Sequence, residues 1–139
     1  MKRAYFGTIV SLLAVCAACV GLTAYMMNAG TTYFVGLGKN TLVICSLIVG
    51  ILALLLWVAM GEAKVTWKDI LPLAAPSLFM FGFLTLLNSR INGIAAIMTF
   101  EANEANMADL KSALVALVAM AIAALLACIA AFANVKKQA

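Results

Sequence analysis

The stretch TLVICSLIVGILALLLWVAM, Thr41 to Met60, runs for 20 residues with no charge, no proline and one glycine. Roughly 20 such residues in a helix cross the ~30 Å hydrocarbon core of a bilayer. Lys39-Asn40 precede the stretch and Gly61-Glu62 follow it, so it reads as one complete membrane span. Outward from it lie three further apolar runs: Tyr5 to Met27, one beginning near Ile70, and Ser112 to Ala133. The expected fold is therefore all-α. It is a polytopic membrane protein, an antiparallel bundle of four transmembrane helices forming one membrane domain over residues 1–139. The spans are expected at about 5–27, 41–60, 70–90 and 112–133.

Composition agrees. The chain is 67% hydrophobic and 10% charged, with a mean hydropathy of +1.15. A soluble domain is about 45–50% apolar and about 25% charged. This chain has too few polar residues to cover a water-soluble fold, which excludes an ordinary soluble enzyme, a disordered chain and a nucleic-acid-binding domain. There is no histidine, so imidazole acid–base chemistry and imidazole metal ligation are absent. The five carboxylates, Glu62, Asp69, Glu101, Glu104 and Asp109, all fall between apolar runs. A proton-coupled pump carries an acid inside the membrane, and the small four-helix multidrug transporters carry a glutamate in the first helix that Tyr5–Met27 lacks. No phosphate loop, nucleophile elbow or zinc motif is present. The expectation is a non-enzyme with no catalytic residue, cofactor or metal site. Its expected partners are the lipid bilayer and a second copy or another membrane protein, and no nucleic acid.

Orientation follows from the basic residues. With four spans, one side holds six cations, Lys2, Arg3, Lys64, Lys68, Lys136 and Lys137. The other holds three, Lys39, Arg90 and Lys111. Both termini are thus expected in the cytoplasm. Tyr5, Trp57 and Trp67 fall near the inner border, Tyr25, Tyr33 and Phe34 near the outer one. Lys2-Arg3 before an apolar run also opens a signal peptide. Val15 before Cys16, the missing leucine before Cys19 and the length of the run favour a span.

The third span has two registers. In the favoured one, Ile70–Leu87 crosses, Asn88-Ser89-Arg90 emerges, and residues 91–100 form an outer amphipathic segment with Ile91, Ile94, Ala95 and Met98 on one face. In the other, Ser77–Phe100 crosses and Arg90 lies in the bilayer, at about 2.5–3.5 kcal/mol on the lenient insertion scale. Asn106 is the expected N-cap of the fourth helix, with Asp109 in its first turn. The candidate outer polar cluster is Asn88, Arg90, Asn92, Glu101 and Glu104, with Glu101 or Glu104 expected to pair with Arg90. The bland reading of the same residues is a solvated loop with helix caps.

Ala119, Ala123, Ala127 and Ala131 make a stripe of small residues at four-residue spacing. Such stripes let helices approach closely in lipid, either inside one bundle or between copies. Cys16-Ala-Ala-Cys19 has redox spacing but lies mid-span, and Cys45 and Cys128 stand alone, so four free packing thiols are expected. The stretches Ala24–Phe34 and Asn88–Leu110 resemble segments of small four-span membrane proteins of anaerobic Gram-positive bacteria. That resemblance implies a bacterial cytoplasmic membrane and supplies no activity. The function expected is a non-enzymatic accessory or oligomer-forming component of a membrane complex. The alternative is a small oligomeric channel or transporter.

Overall fold

Asn40 turns its side-chain oxygen onto the backbone N–H of Leu42 and starts the second helix at Thr41. Asn103 does the same for the fourth helix, accepting from the N–H of Asn106 at 2.8 Å. Pro72 stands in the opening turn of the third helix, where no N–H is needed. In the computed structural model, which describes residues 2–61 and 65–133, these signals delimit four helices. They are α1 (Lys2–Ala29), α2 (Thr41–Met60), α3 (Leu71–Thr99) and α4 (Glu104–Phe132). All four are long and apolar enough to span a membrane, and the protein is an all-helical antiparallel bundle. Of the six cations on the expected inner side, only the Lys68 side chain is described. It is buried in a 3-10 turn (Thr66–Ile70) and donates to the Gly61 carbonyl at 2.9 Å. The side chains of Lys2, Arg3 and Tyr5, and residues Lys64, Lys136 and Lys137, lie outside the described residues.

The helices form a ring in which α1 lies against α4, α4 against α3, α3 against α2 and α2 against α1. Each turns an inward stripe of three- and four-residue steps. On α3 this stripe is Pro72, Ala75, Phe79, Gly82, Leu86 and Arg90. Gly50 is needed where α2 meets α3, because a Cβ there would lie 2.6 Å from the ring of the fully buried Phe79. The stripe Ala119, Ala123 and Ala127 is buried inside the bundle, with Gly21 of α1 against Ala119 and Met120. Ala131 is half-buried. Cys16, Cys19, Cys45 and Cys128 are free but face outward, so they lie on the lipid side rather than packing in the core.

Of the two boundaries between α3 and α4, one differs from expectation. α3 carries the expected outer segment as part of the same helix and continues to Thr99, because the α1–α2 connection and α4 pack on the face of its last turns. The packed face of its last turns is Arg90, Gly93, Ile94 and Ile97, while Ile91, Ala95 and Met98 are exposed. α4 begins at Glu104 with Asn103 as cap, so Asn106 lies in its first turn and Asp109 in its second.

The four helices are unequal. Gly50 against Phe79 and Gly82 against Ser46 set the α2–α3 register. That register brings Thr41 level with roughly Leu87, so α3 rises another 12 residues, ~18 Å, above the start of α2. Asn28 bonds to Ser112, so α4 also overtops α1, by some 8 residues or ~12 Å. The α1–α2 connection, residues 30–40, lies on this step. Its Phe34 fills a second small core with Ile97, Leu110 and Ala113.

A candidate functional site around Arg90

Arg90 is 1% exposed and is the largest fully buried side chain among the described residues. A buried guanidinium must be hydrogen-bonded or paired. Its Nε donates to Asn28 Oδ1 at 3.0 Å, and its Nη2 to the Gly38 carbonyl at 3.5 Å. Its Cζ stands 5.1 Å from the centre of the Phe34 ring and 5.9 Å from that of Tyr25, both rings being buried. The expected pairing with Glu101 or Glu104 is not formed: among the described residues Arg90 makes no ion pair. The reason is direction. Arg90 belongs to the inward stripe of α3, while both glutamates are exposed at the hairpin between α3 and α4.

Asn28 is the hub. It is fully buried on the inward stripe of α1 and accepts from Arg90. Its Nδ2 donates to Ser112 Oγ at 2.9 Å and to the Asp109 carbonyl at 3.3 Å. One side chain thus ties α1 to α3 and α4. The connection is clipped down by further bonds. The Tyr33 N–H donates to the Asp109 carboxylate at 3.0 Å, the Tyr33 hydroxyl donates to Glu101, and the Asn40 N–H donates to the Tyr25 hydroxyl. Gly93 makes the close approach of the aromatic pair feasible, since a Cβ there would lie 2.9 Å from Phe34 and 3.1 Å from Tyr33. The carboxylate of Glu101 raises the Tyr33 phenol above its ordinary value, mainly through their hydrogen bond.

Of the five residues expected as a cluster, Arg90 and Glu101 enter this network at different points, separated by Tyr33 and Phe34. Asn88, Asn92 and Glu104 are exposed and lie outside it. From the sequence Tyr25 reads only as an aromatic at the outer border, Ser112 only as the start of an apolar run, and Asn28 has no assigned role. The signal was available, since Ala14, Ala18, Gly21, Tyr25 and Asn28 fall on one three- and four-residue stripe. Among the described residues no group of His, Cys, Asp or Glu is arranged to hold a metal ion. Comparison with family models, with curated proteins and with solved structures gives no match.

Proposed function

We propose that this chain is a non-enzymatic integral membrane protein, an accessory or oligomer-forming component of a membrane complex. The observation that carries this reading is the middle of the bundle, which is filled by apolar side chains with no exposure, among them Ala14, Leu47, Leu54, Phe79, Met120 and Ala123. Five hydroxyls along the spans serve their own helices. Ser11, Thr23, Ser46, Ser77 and Thr85 each donate to a carbonyl three or four residues back. Among the described residues a single copy therefore offers no polar path across the membrane, and Arg90 and Asn28 tie helices together at one end. The six-to-three division of Lys and Arg supports an orientation with both termini inside.

Native mass spectrometry of the detergent-extracted protein tests the reading. The expected species is a defined homo-oligomer or a stoichiometric complex with another membrane protein. A strictly monomeric chain that passes ions or a solute in proteoliposomes would overturn it. An oligomer with such flux would instead favour the channel or transporter reading.

A further inference from the structure

The hydrogen-bond donors around Arg90 outnumber the acceptors the protein gives them. A guanidinium has five N–H donors. Among the described residues two are accepted, both by neutral oxygens, and no carboxylate neutralises the charge. The ring of Tyr25 has its centre 5.9 Å from Arg90 Cζ, and its hydroxyl accepts from the Asn40 N–H and keeps its own hydrogen to donate. Every sealed side-chain nitrogen or oxygen among the described residues has a partner. Nη1 of Arg90 has none, so the sliver of Arg90 that is not sealed, 1% of the residue, includes this unpartnered nitrogen. A buried cation with spare donors and no counter-charge is costly, and an oxyanion relieves both deficits at once.

Depth narrows the chemistry. Arg90 lies about one turn above the level where the apolar run of α2 begins, ~5 Å by the helical rise. That is the border of the hydrocarbon slab, where lipid phosphates lie. Lys39, exposed, follows the Gly38 carbonyl that Arg90 holds. We propose that Arg90 and the Tyr25 hydroxyl are the seat of a phosphate oxyanion at this border of the membrane, approached at Nη1 beside the α1–α2 connection. A phosphate accepts from the planar N–H fork and from the phenol and carries the missing negative charge. The phosphodiester of an anionic phospholipid and free phosphate share this chemistry.

The full-length protein in detergent, titrated and read by native mass spectrometry, tests the seat. The probes are phosphatidylglycerol, a neutral glucosyl diacylglycerol with the same acyl chains, and inorganic phosphate. Phosphatidylglycerol is expected to be retained over the glycolipid. Arg90→Gln should weaken its binding by about tenfold or more. Lys111→Gln, which removes an exposed cation elsewhere at this end, should leave it unchanged. Displacement of the lipid by inorganic phosphate would identify the free ion as a second occupant, and retention against it would assign the seat to the lipid. If Arg90→Gln does not fold, Tyr25→Phe keeps the ring and removes one donor, with an expected loss of about threefold or more. Unchanged phosphatidylglycerol binding in whichever of these two variants folds overturns the proposal.

Discussion

Replacing Arg90 with alanine leaves Asn28 Oδ1 and the Gly38 carbonyl without their donor and opens a cavity under Phe34 and Tyr25. The expected cost is ~2–4 kcal/mol, against no more than about 0.5 kcal/mol for Lys39→Ala on the exposed connection. Denaturant unfolding in detergent measures both. A double-mutant cycle of Arg90→Ala with Asn28→Ala should show ~0.5–3 kcal/mol of coupling, and one with Glu101→Ala should be close to additive. The reverse order would mean that a carboxylate, and not Asn28, holds the guanidinium. Tyr33 gives a pH signature. Its phenol is raised above the ordinary value of about 10, so the folded state holds that proton more tightly than the unfolded chain does. The stabilisation is complete below pH ~10 and is lost as pH rises through the folded value. Melting curves from pH 8 upward should therefore fall more steeply for the natural chain than for Tyr33→Phe, and parallel curves would exclude the Tyr33–Glu101 bond as their cause.

At the scale of elements, the α2–α3 seam rests on the absence of a side chain at Gly50. Gly50→Ala places a Cβ 2.6 Å from the ring of Phe79, which is fully buried, so the ring or the helices must shift. Overpacking of this kind costs ~1–3 kcal/mol. Adding Phe79→Leu to Gly50→Ala should recover part of the melting temperature, and a double variant less stable than either single one would show that the clash is not the cause. The span α2 was legible to the residue, because Asn40 caps it and Gly61 ends it. The top of α3 was not. Asn88, Ser89, Arg90 and Asn92 look like an exit from the membrane, yet the helix continues because α4 and the α1–α2 connection cover its Arg90, Gly93 and Ile97 face. Local polarity marks a possible break in a helix, while packing by distant residues decides whether it occurs.

For the molecule as a whole, the bundle presents its four thiols outward, so they contribute little to its stability. A variant with Cys16, Cys19, Cys45 and Cys128 all changed to alanine should fold and melt like the natural chain, each exposed change costing no more than about 0.5 kcal/mol. That variant carries the topology test. A cysteine placed at Gln138, outside the described residues, should resist a membrane-impermeant thiol reagent in intact cells and react after lysis. Labelling in intact cells would place the C-terminus outside. The amino-acid sequence by itself determined the class of this protein: four apolar helices of spanning length, antiparallel because their connections are short. It could do so because membrane insertion depends on the local sum of side-chain transfer energies, which needs no knowledge of the fold. It also marked Ala119, Ala123 and Ala127 as a close-packing face, although only the bundle placed that face against α1 rather than on the exterior. The partner of Arg90 was decided by tertiary structure alone. Asn28 is 62 residues away, and both side chains meet only because α3 and α4 overtop α1 and α2 and the connection folds onto the step. A buried charge takes whatever acceptors the packed helices bring within about 3 Å, and charge complementarity along the chain does not specify them.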